Sequence, residues 1–224
     1  MAWNKHLLFA LCLGLVFSSV KCLQVRTPAP AWSGTALVGD KFQPLSNEDF
    51  KGKWLVLFFY PLDFTFVCPT EIVSYSEAAK DELSKINTQV VGVSVDSKFT
   101  HLAFSKTARE LGGLGGVDIP LVADITKEIS RAYHVLDEIP GDDHEGVAMR
   151  GTFIIDPQGI LRSINVNDEP LGRDVSETVR QVKALQYADA NKGQGCPANW
   201  RPGDDSIVAN PSDSKDFFTK WARK

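Results

Sequence analysis

The sequence predicts an α/β sandwich built around a central mixed sheet. Three observations carry that expectation. Short apolar runs alternate with stretches of helical periodicity. The first of those runs is apolar on both faces. A hairpin signal and a long amphipathic stretch close the order. The 224 residues are 43% apolar and 23% charged, with a net charge of −4, which is ordinary for a globular chain. This composition excludes a disordered tail protein, a collagen-like repeat and a multi-span membrane protein. The slight acidity gives no electrostatic footprint for nucleic acid. No internal repeat and no second folded domain are visible.

Taken in order, residues 1–22 have the layout of a secretory signal peptide. Lys5 and His6 precede an apolar run from Leu7 to Phe17, and the small residues Ser18 and Ser19 follow. A membrane anchor needs about 20 apolar residues, and this run is shorter. Val20 and Cys22 suit the −3 and −1 positions, so cleavage is expected after Cys22. It removes Lys5 and Lys21 and no acid, leaving 22 basic against 28 acidic residues, a net charge of −6. The expected division is a leader over 1–22, a folded domain over 23–189 and a tail over 190–224. The expected destination is secretion or the lumen of the secretory pathway.

Residues 53–61 (KWLVLFFYP) form the first apolar run, a strand buried on both faces as in a parallel sheet. Residues 70–86 carry Ile72, Val73, Ala79 and Leu83 at near-helical spacing and predict a helix. Residues 89–96 (QVVGVSVD) read as a second strand. Residues 98–111 read as a helix ending in the glycine-rich run 112–116. A short strand over 121–124 and a helix over 126–134 follow. Residues 151–156 and 160–167 flank Pro157, Gln158 and Gly159, which is a hairpin signal. Residues 174–189 place Val175, Val179, Val182 and Leu185 on one stripe of a helix. The tail is rich in Pro, Gly, Asp and Ser and ends in a short helix over 216–222.

Four cysteines in 224 residues are too few for a disulfide-stapled mini-domain. Removing the leader takes Cys12 and Cys22 and leaves Cys68 and Cys196, 128 positions apart. A structural bridge closing a long loop is one reading of that pair. A reactive pair is the other. Cys68 follows the first apolar strand, and Pro69 and Thr70 suit a helix start. A thiol there meets free N–H groups and the positive end of the dipole, which favour the nucleophilic thiolate. Thr65 lies three residues earlier, within reach of the sulfur or its substrate. Read alone, Arg150 is more simply a surface cation and Glu71 a first-turn acid favoured by the dipole. His101, His134 and His144 read as surface or loop residues. No C-x-x-C motif, protease signature or clustered zinc ligands appear.

Pro61, Thr65 and Cys68 spell PxxxTxxC within FFYPLDFTFVCPTE, and this stretch resembles the peroxiredoxins, within them the typical 2-Cys type. Further matching stretches are GVSVD from Gly92, THLA from Thr100, the glycines within 112–116, RGTFIID from Arg150, Gly172-Arg173, and CPANWRP from Cys196. The resemblance runs from about Pro28 to the C-terminus. It implies a thioredoxin-like fold and a thiol peroxidase. Cys68 would be the attacking cysteine, Thr65 would bind the peroxide, Pro61 would shield the pocket, and Arg150 would hold the thiolate and orient the peroxide oxygens. Glu71 and Arg173 would position Arg150. Cys196 would be the resolving cysteine, forming a disulfide with Cys68 of another subunit that a thioredoxin-like dithiol reduces. The resemblance also implies a homodimer assembling into a ring of five dimers. It calls for no metal or organic cofactor and for no nucleic-acid or membrane partner. A chaperone-like holdase and an extracellular signalling protein that lost turnover are the competing functions.

The chain departs from that pattern in places. Gly113 and Gly116 mark a motif tied to overoxidation, which works with a Tyr-Phe pair in a C-terminal helix. Here the pair is Phe217-Phe218, so one tyrosine hydroxyl is absent and weaker sensitivity is expected. The acidic stretch 136–146 (LDEIPGDDHEG) is several residues longer than usual, and reads as a tolerated surface loop. His134 stands where relatives commonly have glycine.

Overall fold

A computed structural model describes residues 22–223. The expected leader falls almost wholly on residues 1–21, which lie outside the described residues. Seven strands form one mixed sheet in the order β2-β1-β5-β4-β3-β6-β7. The expected mixed sheet with flanking helices is what the structure shows.

The first strands were not read from the sequence. β1 (Ser33–Val38) and β2 (Lys41–Ser46) form a hairpin in which Val38 pairs with Lys41. Gly39 opens its two-residue turn at φ +56°, a conformation that suits glycine. β2 is mostly solvent-facing at the sheet edge, so it lacks the apolar run that marks a core strand.

β3 (Trp54–Phe59) is buried at all six positions. Trp54, Val56 and Phe58 point to one face, and Leu55, Leu57 and Phe59 to the other. It runs parallel to β4 (Thr88–Ser94) but antiparallel to β6 (Arg150–Ile155). Burial on both faces therefore arises here inside a mixed sheet. β5 (Leu121–Ala123) joins β4 to β1. β6 and β7 (Leu161–Asn167) form the expected hairpin.

The helices lie where expected, and the first three are shorter than expected. α1 is Cys68–Asp81, and a separate 3-10 turn covers Leu83–Ile86. α2 is Lys98–Lys106, opened by a hydrogen bond from the Thr100 N–H to the Ser97 hydroxyl. It stops at Thr107, which is extended, and a 3-10 turn at Arg109–Leu111 leads into the glycines. α3 is Glu128–Ala132. α4 is Val175–Ala190, with the Asp174 carboxylate accepting from the N–H groups of Ser176 and Glu177. Ile72 and Tyr75 of α1, Phe104 of α2, and Val179 and Val182 of α4 cover one face of the sheet. Ile129 of α3, Tyr133, Val135 and Trp32 cover the other. Each fully buried aliphatic or aromatic side chain in these layers contributes about 1.5–3 kcal/mol.

The tail carries a two-stranded pairing, β8 (Gln194–Gly195) with β9 (Ile207–Val208), and ends in α5 (Lys215–Trp221). Its first part is docked rather than free. Trp200 is buried, packs against Tyr187 of α4 with the rings tilted and their centroids 4.9 Å apart, and its carbonyl accepts from Arg180 at 3.0 Å. No helix among the described residues is long and apolar enough to cross a membrane.

Candidate active site

The register of β3 against β6 builds the site. Phe58 pairs with Thr152. Arg150, two residues before Thr152, therefore lies beside the point where the chain leaves β3. That same chain turns through residues 61–67 and starts α1 at Cys68. Proline at the second helical position costs nothing there, because its missing N–H has no intrahelical partner to lose. Cys68 is fully buried, as is the Arg150 side chain.

Cys68 and Glu71 are three apart on α1 and so share one helix face. Arg150 reaches both. Its Nη1 donates to Glu71 Oε2 at 2.7 Å and lies 3.4 Å from Cys68 Sγ. Arg173 grips Glu71 from the other side. Its Nε and Nη2 donate to the two carboxylate oxygens at 2.8 and 2.9 Å, and its backbone N–H adds a third bond at 2.9 Å. Its Nη1 donates to the carbonyls of Phe59 and Gly151, and its guanidinium lies over the rings of Phe58 and Tyr75. Burial pushes the Glu71 carboxyl upward, but the hydrogen bonds and charge of Arg173, with the charge of Arg150, outweigh it and hold the group below its usual range. A buried carboxylate between two guanidiniums is thereby fixed, and it fixes Arg150 in turn. The guanidinium of Arg150 and the start of α1 both face the Cys68 sulfur.

Pro61 is buried at the end of β3, and Thr65 is half-buried with its hydroxyl donating to the Leu62 carbonyl at 2.9 Å. The loop between them is pinned by a buried cluster that sequence reasoning missed. The Tyr60 hydroxyl donates to Asp63 Oδ1 at 2.9 Å, and His101 Nδ1 lies 2.7 Å from Asp63 Oδ2. The Asp63 N–H donates to Asp96 at 2.8 Å. Burial, then the charge of Asp63, pushes the Tyr60 hydroxyl well above its usual range. The expectation that His101 is a surface or loop residue is thus wrong: it has no exposed surface. Its carboxylate partner lies 38 positions away, which no local pattern reveals. His134 and His144 are exposed as expected.

Cys196 stands apart from this site. It is half-buried against α4, with Sγ 3.6 Å from the Ala184 carbonyl. Burial pushes its thiol up, with the charge of Arg180 partly opposing. No disulfide joins cysteines among the described residues. The letters GGLG occupy positions 112 to 115, one place earlier than the frame of Gly113 and Gly116. A Cβ on Gly113 would lie 2.3 Å from the Thr107 carbonyl oxygen, so only glycine fits that turn. Arg109 ties the loop to α1, bonding the Leu114 carbonyl and Glu77. Phe217 and Phe218 meet edge-on at 5.7 Å. Phe217 lines a pocket with Pro197, Trp200 and Trp221, and none of residues 112–116 lines it.

Fold and site together define an α/β protein that presents one buried cysteine at a helix start beside an anchored arginine. Residues 25–164 match the model of the AhpC/TSA family, and residues 184–220 match the C-terminal domain of 1-Cys peroxiredoxin. Peroxiredoxin 2 of Drosophila melanogaster is 54% identical, over 87% of this chain and 97% of that one. The mitochondrial thioredoxin-dependent peroxide reductase of Homo sapiens is 53% identical, over 91% of this chain and 77% of that one. The reduced 2-Cys peroxiredoxin of Plasmodium vivax superposes with a TM-score of 0.80 at 38% identity, over 87% of this chain and 98% of that one. The chain belongs to the peroxiredoxins of the AhpC/TSA family, with their thioredoxin-like fold, and is a thiol peroxidase. The holdase and signalling alternatives gain no support over that function.

One expectation is overturned by these relatives. They include a mitochondrial reductase and peroxiredoxin 2, which do not point to secretion or the secretory lumen. An apolar run behind a lysine does not by itself select a destination, so the secretory assignment is withdrawn.

Proposed function

We propose that Cys68 is the nucleophile that attacks the peroxide and that Arg150 directs it. The observation that carries this reading is Arg150 Nη1, held at 2.7 Å by Glu71 while it lies 3.4 Å from the Cys68 sulfur. The Cys68 thiolate attacks the terminal oxygen of a hydroperoxide. The O–O bond breaks, an S–O bond forms, and the leaving oxygen departs as water or alcohol after taking up a proton. Thr65 already donates to Leu62, so its oxygen is left to accept from the hydroperoxide O–H. Pro61 excludes water from the pocket. Arg173 and Glu71 hold Arg150 in register.

The Cys196 thiol of a second subunit then condenses with the sulfenic acid, forming a disulfide and releasing water. Because Cys68 is buried as the first residue of α1, this step requires local unwinding of the first helical turn. A thioredoxin-like dithiol reduces the disulfide and becomes a disulfide itself. The edge of β7, unpaired among the described residues and with Val166 exposed, supports a dimer formed by antiparallel sheet extension; the ring of five such dimers rests on the family resemblance alone. Two finer readings rest on sequence. Residues 1–22 act as a cleavable leader, which mass determination of the mature N-terminus tests. Gly113, Gly116, Phe217 and Phe218 set sensitivity to overoxidation, and Phe217→Tyr is expected to raise the sulfinic fraction per turnover in intact-mass spectra.

The deciding experiment is peroxide consumption with thioredoxin and its reductase, comparing the wild type with Cys68→Ser. Activity is expected to fall to background in the variant, and equal rates would overturn the reading.

A further inference from the structure

We propose that Glu169 is a positioning residue for Arg150, itself braced by His144 of the 136–146 loop. The proposal rests on the reading of Arg150 and Cys68 given above. An arginine side chain has five N–H donors in a rigid plane. In Arg150, Nη1 uses its two on Glu71 and toward Cys68. The opposite edge of the guanidinium is held by one residue. Nε donates to the Glu169 backbone carbonyl, and Nη2 donates to the Glu169 carboxylate at 3.2 Å. Four of the five donors thus have partners among the described residues, and one N–H on Nη2 is left for a ligand.

Glu71 alone leaves the guanidinium free to pivot about the Nη1 contact. Glu169 removes that pivot, because it grips the far edge at two points. The plane of the guanidinium, and with it the direction of Nη1 toward the sulfur, is then determined. The register of the second hairpin explains why Glu169 is there. Arg150 pairs with Asn167, the last residue of β7, so the chain leaving β7 passes directly beside the arginine.

Glu169 is only partly buried, with 31% of its side chain exposed, so it needs its own support. His144 supplies it. His144 Nε2 lies 3.8 Å from Glu169 Oε2, and His144 Nδ1 lies 3.4 Å from Asp142 Oδ1. The loop presenting His144 is built for this by its own hydrogen bonds. The Asp137 N–H donates to the Val147 carbonyl, the Gly146 N–H to the Asp137 carbonyl, and the His144 N–H to Asp142 Oδ1. The loop read from sequence as a tolerated surface insertion therefore reaches the arginine in two contacts.

The test is the second-order rate constant for Cys68 oxidation by hydrogen peroxide in single turnover. It is read by quenched flow and intact mass on the full-length reduced protein. Glu169→Ala is expected to lower it about tenfold, since small misplacement of a directing group costs up to about 10²-fold. Glu169→Gln keeps an oxygen that accepts from Nη2 and is expected to recover most of that loss. A merely structural role would not show such rescue. In an Arg150→Ala background, Glu169→Ala is expected to add no further loss. His144→Ala is expected to cost two- to threefold alone and nothing in the Glu169→Ala background. An unchanged rate in Glu169→Ala, or an equal loss with and without Arg150, overturns the proposal. If Arg150→Ala itself leaves the rate unchanged, the reading of the site fails instead, and the two failures are told apart.

Discussion

Cys68 and Cys196 sit in opposite surroundings. Cys68 is buried, opens a helix and lies 3.4 Å from a guanidinium that is itself held by carboxylates. Cys196 is half-buried in a tail where, among the described residues, the strand pairing beside it is two residues long. Its thiol contacts the Ala184 carbonyl at 3.6 Å, and burial pushes the thiol up. The difference is one of where order has been invested. Around Cys68 the polar groups are tied into one network before any ligand arrives, which is what a directed attack requires. Around Cys196 the packing rests on Trp200, Tyr187 and Arg180, and the thiol is left with few ties. If Cys196 resolves Cys68 of a partner subunit, as proposed, it loses less by leaving such a place.

The strongest way to break that contrast is Cys196→Ser. Single-turnover oxidation of Cys68 by peroxide is expected to be unchanged, because no hydrogen bond or ion pair joins the described tail residues to Arg150, Arg173, Glu71 or Glu169. Steady-state turnover with thioredoxin is expected to fall to background, and non-reducing electrophoresis after peroxide is expected to show no disulfide-linked dimer. A persistent dimer band would mean that another thiol resolves Cys68.

The next largest effect belongs to Glu71. Glu71→Gln leaves Arg150 and Arg173 buried without their shared anion, which costs about 3–5 kcal/mol in comparable buried pairs. The denaturant midpoint should drop accordingly. The pH dependence has a definite sign. The Glu71 carboxyl is held below its usual range by its arginine partners against the opposing effect of burial. Its contribution to stability is therefore fully present above the unfolded value of about 4.3 and is lost as pH falls through the lower folded value. Stability curves of the wild type and Glu71→Gln should converge across that acid window. Parallel curves would show that the carboxylate is not the group at work.

How much of this was legible in the sequence depends on how local each feature is. Cys68 at a helix start was readable because the apolar run, Pro69 and the following helical spacing are adjacent. The β6–β7 hairpin was readable from its turn residues. The β1–β2 hairpin was not, since an edge strand with a polar outer face carries little apolar signal, although Gly39-Asp40 marks its turn. The lengths of α1 and α2 were overread because the 3-10 turns after each continue the same apolar spacing. His101 was misplaced because its burial depends on Asp63, and Glu169 was unremarked because its place beside Arg150 depends on strand register. Both are facts of tertiary pairing, which no window of neighbouring residues contains.

The smallest expected effect lies on the ordered side of the contrast, at the root of the loop that leads to Arg150. His134 adopts φ +54°, a left-handed conformation that favours glycine. The reason is the way α3 ends. The His134 N–H donates to the Arg131 carbonyl, and the Val135 N–H donates to the Ser130 carbonyl, the paired bonds of a Schellman motif with His134 at the left-handed position. The departure from the family's usual glycine is thus a strained turn rather than a functional histidine. His134→Gly removes the Cβ clash, worth about 1–2 kcal/mol, while the freer unfolded chain takes back part of it. A net gain of about 0.5–1 kcal/mol in unfolding free energy is expected, with the rate of Cys68 oxidation unchanged, since the side chain is exposed and bonds nothing in the site. Added stability with an unaltered rate would show that the scaffold around the arginine network is stiffened independently of its chemistry. A slower rate would instead show that the start of the loop is coupled to the site through His144 and Glu169.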